Sequence, residues 1–144
     1  MKVEGVLHAK GSLVETIAPR ATVAMAVHQL TTRGIGALVV STDGERVEGV
    51  ISERDIVRAL ARRGTGLLSM RVSEVMSGVV PVCSPQATIK EVMAQMTTSR
   101  QRHLPVVEGR RLCGIVSIGD VVKNRLEELE LETIVLREAY IAHR

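Results

Sequence analysis

The sequence predicts an α+β fold made of two β-α-β-β-α repeats, related by pseudo-two-fold symmetry and followed by a C-terminal amphipathic helix. Three observations predict it: the chain repeats itself, each copy alternates short apolar strands with helices, and an apolar stripe of helical spacing follows the second copy. A half of about 65 residues buries little surface alone. We therefore expect the two halves to pack face to face and to leave two equivalent clefts between them.

The repeat is visible when the chain is aligned with itself. Residues in the first part of each copy stand 66 positions apart, and those in the last part stand 65 positions apart. The missing residue falls in the turns at Asp43-Gly44 and Glu108-Gly109, where deletions are tolerated. The matching pairs are Pro19 and Pro85, Ala21 and Ala87, Thr22 and Thr88, Gln29 and Gln95, then Gly49 and Gly114, Ser52 and Ser117, Asp55 and Asp120.

Each copy begins with a short strand, near Val14 or Val80, and continues with a helix that Thr22 or Thr88 opens. The letters "TIKE" form a capping box in the second copy, because Thr88 and Glu91 can satisfy free backbone donors at the helix start. Tight turns then join two further strands in each copy, "IGALVV" to "RVEGVI" and "HLPVV" to "RLCGIV".

A second helix closes each copy: "ERDIVRALARRG", which ends at Gly64, and the long run after Asp120. The segment "GTGLLSMRVSEVMSG" connects the copies and holds enough Leu, Val and Met to pack against them. The elements divide the chain into a first repeat with the N-terminal segment at 1–66, a second repeat at 67–125 and a C-terminal helix extension at 126–144.

The composition narrows the function classes. Apolar residues make up 45% of the chain and charged residues 24%, as in soluble globular proteins. Tyr140 is the only aromatic residue, so the chain lacks the stacking faces that single-strand nucleic-acid grooves use. The formal charge of +3 is mildly basic, which keeps a nucleic-acid-binding adaptor as an alternative without favouring it.

Neither a metal site nor a disulfide is expected. Cys83 and Cys113 lack the C-x-x-C spacing of zinc and redox sites, and His8, His28 and His143 have no partner at metal-ligand spacing. We expect two reduced, buried thiols. Since the chain has no signal-peptide pattern and no run of roughly 18 apolar residues, the expected location is the cytoplasm.

The motif Ser-x-x-Asp, Ser52 with Asp55 and Ser117 with Asp120, has two interpretations. In the structural one, Ser caps a helix and Asp suits the positive end of the helix dipole. Both copies nevertheless keep the same Ser and Asp, although caps accept other residues, and this favours a ligand site. A helix start with free N–H groups can bind phosphate, and a carboxylate can accept both hydrogen bonds of a ribose cis-diol. The two together indicate a nucleotide.

The motifs "GVISERDIV", "GIVSIGDVV", "RHLPVV" and "VSEVM" resemble a tandem pair of cystathionine β-synthase (CBS) domains, the Bateman module, over nearly all of residues 11 to 125. The resemblance implies that AMP, ADP, ATP, NAD(H) or S-adenosylmethionine binds in the interdomain clefts, and that the protein forms a flat antiparallel homodimer. It implies that Asp55 and Asp120 hold ribose hydroxyls, while Ser52 and Ser117 approach phosphate or ribose oxygens. The other binding residues that it implies are Ile35, Gly36, Gln101, Arg102 and His103 at the strand edge framing the ligand, and Ala21 and Ile115 against the base.

We expect the two clefts to differ in affinity. The second copy has Arg102 and His103 where the first has Gly36 and Ala37, so its strand should neutralise phosphate charge better. Arg54 of the first copy, which is replaced by Gly119 in the second, would serve the other cleft. One cleft should then bind tightly and the other weakly, or each should take a different adenine ligand. Lys10, just before the first strand, could also reach a phosphate.

The C-terminal run carries a second prediction. Its apolar residues recur at alternating steps of four and three, which is the seam of a coiled coil or of a packed helix. We expect a dimerisation element or a surface for a partner protein, and folding back over the chain's own core is the alternative. The seam residues are Val122, Leu126, Leu129, Thr133, Leu136 and Tyr140, and Leu131, Ile134 and Val135 widen the stripe.

The expected function is that of a non-catalytic regulatory module that senses cellular energy or redox state. An adenine nucleotide, AMP, ADP, ATP or NAD(H), would bind the clefts, change the conformation and so signal to an unknown protein target. A nucleotide-processing enzyme is the alternative, but the sequence has no nucleophile-base pair, metal cluster or P-loop. No membrane partner is expected.

Overall fold

A computed structural model describes residues 1–142 of the chain, so His143, considered above as a metal ligand, and Arg144 at the end of the predicted extension lie outside it. The helices are α1 (Val3–Lys10), α2 (Val23–Arg33), α3 (Glu53–Arg63), α4 (Val72–Val75), α5 (Ile89–Ser99) and α6 (Ile118–Ala142). The strands are β1 (Thr16–Ile17), β2 (Ala37–Val40), β3 (Gly49–Ser52), β4 (His103–Glu108) and β5 (Arg111–Ser117), and a 3-10 helix spans Gly64–Ser69. The predicted α+β fold with a long C-terminal helix is confirmed.

Each half of the chain has its own small sheet. In the first half β1 runs parallel to β2, and β2 runs antiparallel to β3. In the second half β4 and β5 are antiparallel, and the strand expected near Val80 is reduced to one parallel bridge between Cys83 and Val106. Pro81 and Pro85 flank Cys83, and since proline has no N–H to donate, the ladder cannot extend in either direction.

The helices begin where the sequence places their caps. The Met25 N–H donates to Thr22 Oγ1 at 3.2 Å at the start of α2. At the start of α5 the Glu91 N–H donates to Thr88 Oγ1 at 3.1 Å, and the Thr88 N–H donates to Glu91 Oε2 at 3.4 Å. The predicted capping box is therefore present, and α3 ends as expected, with Gly64 as its C-cap.

The helix that precedes each copy packs on the other half of the molecule. Val3, Val6 and Leu7 of α1 are buried in the core of the second half, with Ile89 and Leu104. This helix was not predicted, and the N-terminal segment that the predicted boundaries group with the first repeat thus packs against the second.

The connecting segment makes the reciprocal contact. Val72 of α4 is fully buried in the core of the first half, beside Ile17 and Ile51. The two halves consequently share their hydrophobic burial, which is what a half too small for its own core requires.

The repeated glycines allow this packing. A Cβ on Gly49 would lie 2.7 Å from both Met76 Sδ and the Ser77 carbonyl oxygen, and a Cβ on Gly114 would lie 2.7 Å from Leu7 Cδ1. Real Cβ atoms do not come this close to other heavy atoms. Each glycine therefore lets the segment preceding the opposite copy approach a strand closely, at the start of β3 for Gly49 and in the middle of β5 for Gly114.

The side chains of the core are aliphatic, as the composition requires. The largest fully buried ones include Leu38, Ile51, Leu67, Ile89 and Leu104. Within residues 1–142 none of the helices combines the length and the apolar character needed to cross a membrane.

Candidate functional site

A cleft of about 380 Å³ lies between the two halves. Ile35 and Gly36 from the first half face His103, Ile115 and Ser117 from the second across it. The structure thus brings five of the residues predicted to bind nucleotide into one cavity. The other lining residues are Lys10, Leu13, Glu15, Gly34 and Ala37.

Ser117 lines this cleft at the start of α6, and Asp120 borders it through its contacts with Ser117 and Lys10. The Ser117 N–H donates to Asp120 Oδ2 at 2.9 Å, and the Asp120 N–H donates to Ser117 Oγ at 3.2 Å. The arrangement is a reciprocal helix cap, which holds the Asp120 carboxylate in a fixed orientation.

Lys10 brings a positive charge to the same carboxylate. Its Nζ lies 2.6 Å from Asp120 Oδ2, and only 33% and 23% of the two side chains are exposed. Burial by itself would raise the pKa of Asp120, but the hydrogen bonds from Lys10 and from the Ser117 N–H outweigh it and hold the pKa below its ordinary value. Among residues 1–142 the bonds to this carboxylate fall on Oδ2, so Oδ1 can accept a hydrogen bond from a ligand.

The first copy repeats the cap but surrounds its carboxylate differently. Asp55 Oδ2 accepts hydrogen bonds from the Ser52 N–H at 2.8 Å and from Ser52 Oγ at 2.9 Å. Ser77, in the connecting segment, donates from Oγ to Asp55 Oδ1 at 3.2 Å. Both oxygens of Asp55 are therefore engaged within the chain, in contrast to those of Asp120.

The helix starts offer fewer free N–H groups than the sequence suggested. At α3 the Glu53 N–H donates to the Gly36 carbonyl at 3.0 Å, in addition to the bonds within the cap. At α6 the Ile118 N–H donates to the Arg102 carbonyl at 2.8 Å. A phosphate at either helix start would therefore depend more on cationic side chains than on helix N–H groups.

His103 crosses from the second half to the first. A Cβ on Gly36 would lie 3.3 Å from His103 Cε1 and 3.1 Å from Glu53 Oε1, so glycine leaves room for the ring. Burial lowers the pKa of His103, although the nearby Glu53 carboxylate opposes the effect. The ring is consequently neutral at neutral pH, and it can donate one hydrogen bond and accept another.

The remaining predicted residues lie around this cleft or away from it. Arg102 is exposed and Gln101 is half-buried, next to the start of β4. Arg54 is exposed in the first turn of α3. Ala21 is not among the residues that line the cleft, because it packs against the core of the first half and its carbonyl accepts the Val72 N–H at 2.8 Å.

Two polar residues in or near the site were not predicted from the sequence. Ser77 lies in the connecting segment, and Glu15 precedes β1 and lines the cleft. Neither carries a motif of its own. The internal alignment could have indicated that the segment before each copy approaches the opposite half, since Val72, Val75 and Met76 repeat the spacing of Val3, Val6 and Leu7.

The cleft is lined by both aliphatic and polar side chains. Residues 1–142 contain no group of three or more His, Cys, Asp or Glu side chains arranged to hold a metal ion. The cleft instead combines aliphatic walls at Leu13, Ile35 and Ile115 with polar groups at Lys10 and His103. Such a mixture suits a small molecule with an apolar ring and polar substituents.

Comparison with known proteins places the chain in a family. The CBS domain model matches residues 13–62 and again residues 72–127, so the chain belongs to the CBS domain family and carries two of these domains in tandem.

Known relatives agree with this assignment. The chain is 36% identical over 124 residues to the CBS domain-containing protein CBSX3, mitochondrial, of Arabidopsis thaliana, an alignment that covers 83% of the chain and 60% of the plant protein. The crystal structure of the CBS-domain containing protein ATU1752 from Agrobacterium tumefaciens matches with a TM-score of 0.82 and 42% identity, over 86% of this chain and 92% of that one.

A more distant structure has a bound ligand. The CBS domain pair of protein MJ0100, in complex with 5'-methylthioadenosine and S-adenosyl-L-methionine, matches with a TM-score of 0.78 over 89% of this chain and 98% of that one. At 22% identity this likeness concerns the fold alone.

Proposed function

We propose that the protein is a non-catalytic regulatory module that binds an adenine nucleotide in the cleft at Asp120. The observation that carries the proposal is that one cleft between the halves combines aliphatic walls with the Lys10 ammonium, which contacts the fixed Asp120 carboxylate at the border of the cleft. The carboxylate would accept one ribose hydroxyl through Oδ1 and the other through Oδ2, in exchange for Lys10. Lys10 and Arg102 would then neutralise phosphate, and Ile115 would lie against the base. The adenosine-containing ligands of MJ0100 support a ligand of this class.

The choice of ligand within that class follows from charge. AMP is our first candidate, with ADP, ATP and NAD(H) behind it, because the cleft offers few cations for a longer phosphate chain. Asp55 and Ser52 would form the weaker site, since both oxygens of Asp55 already accept hydrogen bonds. Arg54 would supply the positive charge there, and Gln101 and His103 would border the ligands from the strand edge.

Binding would act through the angle between the halves. A nucleotide that touches Ile35 on one side and Ser117 on the other bridges the two domains, and it stabilises whichever arrangement it fits better. We propose that the protein works as a homodimer in the cytoplasm and passes this change to a protein target.

Thermal unfolding with a panel of AMP, NAD, adenosine and GMP tests the proposal. A ligand at 100 times its dissociation constant adds about 2.7 kcal/mol to the free energy of unfolding, which raises the melting temperature by several degrees in a protein of this size. We expect AMP to raise it and GMP to have little effect.

Substitutions of the two aspartates locate the site. Asp120→Asn should abolish most of the AMP effect, because an amide cannot accept both ribose hydrogen bonds. Asp55→Asn, the matched change in the other copy, should preserve most of it. Equal AMP effects in both variants and in the wild type would overturn the proposal, and conversion of AMP to another product, detected by chromatography, would favour the enzyme alternative.

A further inference from the structure

The last turns of α6 extend away from the rest of the chain. Val121 is 1% exposed and marks the side of the helix that faces the second half, whereas every residue from Leu129 to Ala142 is exposed. At 1.5 Å per residue this part of the helix is roughly 20 Å long. A single helix of this length is marginal in water without packing, so the exposed part requires a partner.

One face of the exposed helix forms a continuous apolar seam. Leu126 is 56% exposed, Leu129 42%, Leu136 71% and Tyr140 69%, and these residues alternate at steps of three and four with Thr133 as the one polar member. The seam continues toward the start of the helix through Val122, at 46% exposure. Because the first half has no counterpart of this extension, the seam is not explained by the repeat.

The charged residues beside the seam indicate the partner. In a parallel, in-register pair of helices, each seam residue packs against the same residue of the second helix and forms one layer with it. The residue just before Leu126 or Thr133 then faces the residue five positions later on the second helix. That geometry places Glu132 opposite Arg137 of the second copy, and Arg125 opposite Glu130 of the second copy. Arg125 already pairs with Glu128 at 3.0 Å on its own helix, so the opposite-charge contact between the copies depends mainly on Glu132 and Arg137.

An antiparallel pair is a poorer fit. The antiparallel register that keeps all the seam layers from Val122 to Tyr140 places Glu130 opposite Glu130 and Glu132 opposite Glu132 of the second copy. A register displaced by one heptad toward the C-terminus brings Glu130 opposite Arg137, but it loses the layers at Val122 and Leu126. Burial and charge together therefore favour the parallel pair.

We infer that the exposed half of α6 forms a parallel two-stranded coiled coil with α6 of a second copy of this chain, with Glu132 and Arg137 setting its direction. This inference rests on the homodimer in the proposed function and supplies its surface. The flat antiparallel dimer that the family resemblance implies does not require this contact.

Charge reversal followed by sedimentation velocity tests the inference on the full chain. Arg137→Glu places two pairs of glutamates opposite each other and should weaken self-association about tenfold. Glu132→Arg should do the same with arginines. The double variant, Glu132→Arg with Arg137→Glu, restores both opposite-charge contacts and should recover the wild-type dimer.

Glu138→Arg is the matched control, because residue 138 is also an exposed glutamate on α6 but points away from the seam. It should leave the dimer unchanged. In the displaced antiparallel register the double variant would still oppose Glu130 to the new carboxylate at position 137, so failure of the double variant to recover would overturn the parallel direction.

A cysteine at Thr133 gives a second measurement that does not depend on charge. In a parallel pair the two residues 133 meet in one layer, and Thr133→Cys should form a disulfide between copies under mild oxidation, which peptide mass spectrometry can map. In the displaced antiparallel register residue 133 faces residue 136, and no such disulfide forms. Absence of the disulfide in a dimeric protein would contradict the inference.

Nucleotide binding separates this inference from the proposed function. The seam does not line the cleft at Asp120, so AMP should raise the melting temperature of every α6 variant as it does that of the wild type. A dimer that survives all the substitutions would overturn the coiled coil alone. A wild-type chain that sediments as a monomer would overturn the coiled coil and the homodimer, and would leave nucleotide binding standing.

Discussion

At the scale of single residues, the contact between Lys10 and Asp120 distinguishes one copy of the repeat from the other. The first copy satisfies its carboxylate with the hydroxyl of Ser77, and the second satisfies it with an ammonium group. In the proposed function, a nucleotide would exchange its ribose hydroxyls with Lys10 at the carboxylate and then use the same ammonium as a phosphate partner.

Replacement of Lys10 tests this exchange. Lys10→Met should weaken AMP binding about tenfold, because a charge-assisted hydrogen bond is lost, and it should weaken adenosine binding much less. Titration calorimetry with both ligands measures the difference. Lys90→Met, an exposed lysine on α5, is the control; an equal loss for AMP and adenosine would show that Lys10 does not meet the phosphate.

His103 predicts a dependence of stability on pH. Burial holds its pKa below the ordinary value of 6.5. The positive charges of Lys10 and Arg102 lower the pKa further, whereas the negative charges of Glu53 and Asp120 raise it but do not outweigh burial. The unfolded chain therefore takes up a proton before the folded one does, and the free energy of unfolding must fall as the pH drops below 6.5.

Urea unfolding at pH values on either side of 6.5 measures this effect. His103→Gln keeps a polar side chain without titrating there, so the variant should lose less stability on acidification than the wild type. Identical losses in the two proteins would show that another group is responsible.

At the scale of secondary-structure elements, the repeated glycines Gly49 in β3 and Gly114 in β5 allow close packing between the halves. At each glycine, the strand contacts the segment that precedes the other copy. The two contacts differ in what meets the glycine. At Gly49 the nearest atoms include a backbone carbonyl, that of Ser77, whereas at Gly114 they are the terminal methyl groups of Leu7. A side chain can move aside more easily than a paired backbone.

This difference predicts unequal costs for the same substitution. Gly49→Ala should lower the free energy of unfolding by about 1–3 kcal/mol, since it forces the Ser77 backbone away from its hydrogen bonds with Val50. Gly114→Ala should cost less, because Leu7 can change rotamer. Chemical denaturation of both variants measures the costs, and a Gly114→Ala cost equal to or above that of Gly49→Ala would contradict the account.

At the scale of the whole molecule, the exchange of preceding helices makes the two halves depend on each other. The core of the second half is incomplete without Val3, Val6 and Leu7, and that of the first half is incomplete without Val72. The same packing places a polar group beside each carboxylate. Helix α1 ends at Lys10, which contacts Asp120, and Ser77, two residues after the end of α4, donates to Asp55. Packing and site formation are therefore two results of one topology.

The sequence by itself determined the elements whose causes are local. Thr22 and Thr88 cap their helices, Ser52 and Ser117 pair with the aspartates three residues later, and Gly64 ends α3, as predicted. Each of these features depends on residues within one turn of the chain, and the duplication made them visible twice.

Only the tertiary structure decided which distant groups meet. Lys10 and Asp120 are 110 positions apart, and His103 lies beside Gly36 of the other half. Helix α1 packs on the second domain, although the first domain follows it in the sequence. No local pattern specifies such contacts, because they arise from the burial of apolar surface that neither half can complete alone. The carboxylates of the two copies therefore share a sequence motif and differ in their surroundings.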